Sequence, residues 1–175
     1  GWKLKCLATL FMMLLCMEAR AATVEINWQR RGLDAVPQTY QTQTKNRHLV
    51  GTTQVHSSFD QLPVLGSPQV RFQVEPGVGT SVVVVLQNTG KKNLYFHVAP
   101  HQIDPPTEST GFYFECLCNS RIYAVKPGEY WSRVLRMNVN REHSKKNFKV
   151  SHMFIGVSEE DALSKYKHRI FWSDQ

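Results

Sequence analysis

The stretch QVRFQVEPGVGTSVVVVL, residues 69–86, decides the fold. Its first half alternates apolar and polar residues, which places Val70, Phe72 and Val74 on one face of an extended chain. Pro76-Gly77 supplies a turn, and Val82–Leu86 follows as a β-branched run suited to a strand buried on both faces. The same texture continues outward. Asn88–Asn93 reads as a loop, Leu94–Val98 as a strand, and Arg121–Val125 as another, stopped by Lys126-Pro127-Gly128. Tyr130–Val139 and Phe148–Gly156 complete the set. About seven strands at short intervals, with Pro-Gly turns between them, predict an all-β fold: an antiparallel, immunoglobulin-like β-sandwich. The Cys…Trp…Cys core of antibody domains is absent, so valines and aromatic rings must fill the interior. Ser158 followed by Glu159, Glu160 and Asp161 is a helix start, an N-cap with acids at the positive end of the dipole, and predicts a short helix through Tyr166.

The flanks read differently. Lys3 and Lys5, an apolar run from Cys6 to Met17 and the small residues around Ala19–Ala22 predict a signal peptide over residues 1–21, cleaved after Ala21. The apolar run is shorter than the ~20 residues a spanning helix needs. An uncleaved segment would leave the protein membrane-anchored. Secretion, into a periplasm or beyond, is the expected location. Ala22–Trp28 alternates over a short strand. Residues 29–66 are rich in Gln, Thr, Arg and Ser without a sustained period, which predicts an extended or loosely structured arm. The expected organisation is therefore an arm over 22–66, the sandwich over 67–160, and a helix and tail over 161–175. Without residues 1–21 the formal charge is +5. That charge is dispersed and carries no nucleic-acid motif, so no nucleic acid is expected. It suits a solvated basic surface and permits peripheral association with an anionic membrane.

Chemistry concentrates at Cys116-Leu117-Cys118, which follows the aromatic approach Gly111–Phe114. Loss of residues 1–21 also removes Cys6 and Cys16, leaving this pair as the only thiols. On an extended backbone residues i and i+2 share a face, with Cα atoms about 6.6 Å apart, near the upper limit for an unstrained disulfide. Thiolates are soft donors that select Cu(I), zinc or iron–sulfur clusters. Structural zinc takes four ligands, and no second cysteine pair completes such a site. The ligand count fits Cu(I) best. A dithiol redox site and a structural bridge, within or between chains, stay open as rivals.

His97 and His101 stand at i and i+4 and are secondary metal candidates, although Pro100 makes this a strand leading into a loop and not a helix. Met137, His143, His152 and Met153 rank below them, the two methionines as core fillers. His48 and His56 read as solvated polar residues. Arg121, Tyr123, Glu129 and Trp131 fit turn and packing roles at least as well as partner binding. No Ser-His-Asp set, Gly-rich phosphate loop or paired carboxylates emerge, so no enzyme is expected.

With these motifs in view, residues 68–160 resemble the CtaG family of bacterial copper chaperones, which assemble the copper B centre of cytochrome c oxidase. The likeness runs through the turn at Val74–Gly77, a strand ending in Asn88, the Gly111–Phe114 approach, the Cys-x-Cys motif and the Lys126–Glu129 turn. Leu117 and Asn119 stand where that family usually has aromatic rings. The resemblance implies an immunoglobulin-like periplasmic domain, Cu(I) held by Cys116 and Cys118, a homodimer through the Cys-x-Cys region, and a copper-enzyme client such as a haem–copper oxidase. The expected function is thus an extracytoplasmic Cu(I) metallochaperone or assembly factor. Its alternatives are a β-sandwich interaction module with structural cysteines and a dithiol redox protein.

Overall fold

The computed structural model describes residues 21–42, 53–56, 63–106, 111–115, 120–142 and 146–172. Thirteen strands are described: β1 Ala22–Arg31, β2 Gln38–Gln41, β3 Thr53–His56, β4 Val64–Gly66, β5 Gln69–Val74, β6 Thr80–Gln87, β7 Leu94–Val98, β8 Gln102–Asp104, β9 Phe112–Phe114, β10 Ile122–Val125, β11 Tyr130–Val139, β12 Asn147–Gly156 and β13 Ile170–Phe171. Among the described residues one α-helix, α1 Glu159–Lys165, follows β12, and a single 3₁₀ turn, Lys167–Arg169, leads into β13.

The strands form two sheets. The first runs β13-β10-β7-β12-β1-β5, with β8 also on β12; the second runs β3-β11-β6-β2-β4, with β9 also on β11. Inward-facing residues of both sheets share one core, including Val24, Ile26, Trp28, Val84, Leu86, Phe96, Trp131, Leu135 and Phe154. Burial of each large side chain contributes about 1.5–3 kcal/mol. The all-β sandwich is therefore as the sequence predicts. Val82–Leu86 is buried along its whole length, because its inner residues join that core while Val83 and Val85 pack under Tyr40 and Tyr130 on the outer face.

Three expectations need correction. Residues 29–66 are not simply an arm, since β1 extends to Arg31 and β2, β3 and β4 all pair within the second sheet. No boundary therefore falls at residue 66. The reason is backbone demand: β6 is central, and its second edge needs a hydrogen-bonding partner, which β2 supplies from Gln38 to Gln41. The arrangement is also not purely antiparallel. β1 lies parallel to β12 and antiparallel to β5, and β13 lies parallel to β10. Lastly, Ile170–Phe171, expected to belong to a tail, returns to the first sheet as β13. α1 begins as expected, with the Ser158 hydroxyl accepting from the Asp161 amide at 3.1 Å, and Ala162 seats it against Tyr95, Ile122 and Ile170.

Two features tie the turns together. The Asn88 side chain is buried and donates to the carbonyls of Lys92 and Val125, both at 2.8 Å. The Lys126 amide donates to the Glu129 carboxylate at 3.0 Å, while Gly128, at φ 81°, donates to the Asn88 carbonyl. Glu129 thus has a turn role, and Tyr123 and Trp131 are core residues.

Candidate metal centre

β7 and β8 are two halves of one run of chain that both pair with β12. In β7 Val98 opposes Phe154, and in β8 Gln102 opposes Ser151. Four steps along one strand therefore match three along the other, so one extra residue is accommodated between Ala99 and His101. The Ala99 amide still donates to the Met153 carbonyl at 2.9 Å. Pro100 has no amide to offer, which makes this the natural place for the ladder to break. Such a bulge changes which face the following side chains occupy.

This decides the fate of the two histidines. Phe96 and Val98 face the shared core, so His97 takes the opposite face of the sheet. There its imidazole is half-buried, and burial together with the nearby Arg31 charge lowers its pKa. Beyond the bulge the parity inverts. Ile103, opposite Val150, packs against the core, and His101 lies on the same inner side. The i, i+4 pair is therefore split between two faces and does not form a joint site.

What His101 meets is His152. On β12 the inward series is Phe148, Val150, His152 and Phe154, which puts an imidazole where the pattern calls for a hydrocarbon. The His101 and His152 rings have centroids 5.2 Å apart with planes at 52°. Phe114 stands edge-on to His101 at 5.2 Å and tilted to His152 at 5.8 Å. Trp28 stacks on His152 at 5.5 Å and is fixed by its indole N–H, which donates to the buried Thr39 hydroxyl at 2.8 Å.

The electrostatics keep these rings neutral. His152 is only 1% exposed. Burial pushes its pKa down to about 3, with the neighbouring His101 and Arg133 acting in the same direction and the Ala99 backbone opposing them. The opposing influence falls short of a hydrogen bond, because neither ring nitrogen of His152 has a partner of proper geometry. His101, whose pKa is lowered by burial, also keeps an unpartnered, buried Nδ1. Unsatisfied buried nitrogens are costly, about 1–3 kcal/mol each, and native proteins carry few of them. Beside the pair, Arg133 contacts the Glu115 carboxylate at 3.6 Å.

Cys116 and Cys118 lie outside the described residues, as do His48 and His143. β9 ends at Phe114, two residues before Cys116 in the chain, and the Glu115 amide donates to the Arg136 carbonyl at 2.9 Å. The imidazole pair thus flanks the strand that leads into the Cys-x-Cys motif. Met137 fills the core as expected. Among the described residues no three His, Cys, Asp or Glu side chains converge on one point, and no helix is long and apolar enough to cross a membrane.

Fold defines the class: a two-sheet, all-β sandwich. The model of a family described as Domain of unknown function (DUF8709) matches residues 22–157, and the chain belongs to that family. The matched span opens with β1 and closes just past β12, enclosing the imidazole pair. No curated protein matches the chain.

Proposed function

We propose that this protein binds Cu(I) outside the cytoplasm and hands it to a copper enzyme, as a metallochaperone and not as an enzyme. The observation that carries this reading is the placement of two imidazoles, the buried His152 and the half-buried His101, both with lowered pKa values, against Phe114, where the chain enters the Cys116-Leu117-Cys118 motif. Thiolate and neutral imidazole are both donors that Cu(I) accepts, and both must be free of protons to bind. In this proposal Cys116 and Cys118 hold the ion as thiolates and release it by stepwise ligand exchange. Two-coordinate and three-coordinate Cu(I) are both stable, so no step strands the metal without ligands. The resemblance to CtaG-type chaperones supports the same cargo and suggests a haem–copper oxidase as the client.

The experiment is an anaerobic titration of the reduced protein with Cu(I) held by bicinchoninate. The wild type should withdraw copper and develop thiolate-to-copper absorption in the near ultraviolet. The double variant Cys116→Ser, Cys118→Ser should lose that band. Equal binding and an identical spectrum in the variant would refute a thiolate site.

A further inference from the structure

We propose that the first sheet carries a phosphate-binding site where β10 and β13 begin, built from Ser120, Arg121, His168 and Arg169. The site stands apart from the copper reading and uses none of its ligands.

The topology assembles it. β10 and β13 run parallel, with Ile122 beside Ile170 and Tyr123 beside Phe171. The residues that enter the two strands, Ser120-Arg121 on one and His168-Arg169 on the other, therefore arrive at the same end of the sheet. With Ile170 and Phe171 they line one cavity of about 300 Å³, at the small end of the range for pockets that take small molecules.

Arg121 is held in place by aromatic packing. Its guanidinium carbon lies 5.4 Å from the centre of the Phe171 ring. That ring in turn packs edge-on to the buried Tyr123, with centroids 5.8 Å apart. A guanidinium fixed over a ring is a rigid fork of donors, the form of cation that matches a phosphate best.

The charge around the cavity is one-sided. Two guanidinium groups and an imidazole share it, and among the described residues the lining holds no carboxylate. The chain changes sign on its approach: α1 opens with Glu159, Glu160 and Asp161 and closes with Lys165, after which Lys167, His168 and Arg169 form the 3₁₀ turn. Asp161, the last of those acids, is already engaged by Lys165 at 3.1 Å. Cations gathered in this way repel one another, and an anion seated among them turns repulsion into attraction. The side chains of Arg121, Arg169, His168 and Ser120 all supply donors. A phosphate monoester, with three oxygens and close to two negative charges, uses that set more fully than a carboxylate with two oxygens and one charge.

The test titrates the full-length protein calorimetrically with inorganic phosphate, glycerol phosphate and acetate. The wild type should bind about one equivalent of either phosphate, and acetate about tenfold or more weaker. Arg169→Gln should weaken phosphate binding about tenfold or more, the loss of one charge-assisted contact. Arg121→Lys keeps the charge but loses the fork, and should weaken it as well. Lys149→Gln removes the same charge from an exposed position on β12 and should leave binding unchanged. Near-ultraviolet circular dichroism verifies the fold of each variant. Co-sedimentation with phosphatidylcholine vesicles, with and without phosphatidic acid, separates the two sources of the phosphate. Sedimentation that requires phosphatidic acid and falls in Arg169→Gln makes the ligand a lipid headgroup, whereas uptake of glycerol phosphate without vesicle binding makes it a soluble ester; either result upholds the site. No binding of the phosphates or of the phosphatidic acid vesicles would overturn it, as would acetate binding as tight as phosphate, or an equal loss in Lys149→Gln and Arg169→Gln. Copper enters no arm of this experiment, so its failure leaves the thiolate reading intact.

Discussion

Two aromatic clusters occupy the same core and differ in one respect. At one end Phe96, Tyr123, Trp131 and Phe154 pack with centroids 5.3–5.8 Å apart. At the other, Trp28, Phe114, His101 and His152 pack at 5.2–5.8 Å. Spacing is alike, and burial too except at the half-buried His101, but the second cluster replaces two hydrocarbon rings with imidazoles. The first loses a single hydrogen bond, at the Trp131 indole N–H; the second leaves three imidazole nitrogens on His101 and His152 without partners. Similar packing with unequal polar satisfaction separates the two: the first cluster is nearly all hydrocarbon contact, and the second carries imidazole nitrogens that the core leaves without partners.

The largest blow to this contrast should come from Trp131→Ala, which opens a cavity in the hydrocarbon cluster. It is expected to destabilise the fold by about 3–5 kcal/mol in urea denaturation. Acid should act next, and through the imidazole cluster alone. The folded His152 pKa lies near 3, against about 6.5 for an unfolded histidine. The unfolded chain therefore binds the extra proton between these values. The neutral ring's full stability is present above pH 6.5, and it is lost as pH falls toward 3, at up to about 1.4 kcal/mol per pH unit. Denaturation midpoints of the wild type and His152→Phe, compared at pH 7 and pH 5, check this; parallel behaviour would contradict it.

At neutral pH His152→Phe should raise stability, by about 1–3 kcal/mol, because it removes buried nitrogens that have no partner. A loss of stability there would mean the two clusters are more alike than their hydrogen bonding indicates. The smallest effect belongs to Glu115→Gln. Its contact with Arg133 is 3.6 Å long and only partly buried, so thermal denaturation should register about 1 kcal/mol or less.

The two clusters also differ in how far the sequence discloses them. Tyr130–Val139 and Asn147–Gly156 alternate long enough to reveal their faces, and the first cluster follows from that alternation. His152 was readable by the same rule, since Phe148, Val150 and Phe154 share its parity. Ranked by residue type alone, it falls below His97 and His101. The partnership with His101 was not readable, because it depends on one extra residue in the β7–β8 run, and local periodicity does not report bulges. Strands β2, β3 and β4 escape for another reason. They are three or four residues long, and in Gln38–Gln41 the one fully buried side chain is a threonine bonded to Trp28. Their placement follows from the hydrogen-bonding demand of a neighbour, which is a property of the sheet and not of the segment.

The parallel seat of β1 against β12 has a kinetic consequence. Thr23 pairs with Asn147 and Arg31 with Ile155, so the first strand, although β5 can pair with its other edge earlier, cannot take this seat until residues 147–155 have been synthesised. Contacts of such long sequence separation form late and slowly. Trp28, carried on β1, covers the His152 ring only once that docking is complete. In the nascent chain the imidazole that ends as the most secluded among the described residues is therefore among the last to be closed off from solution.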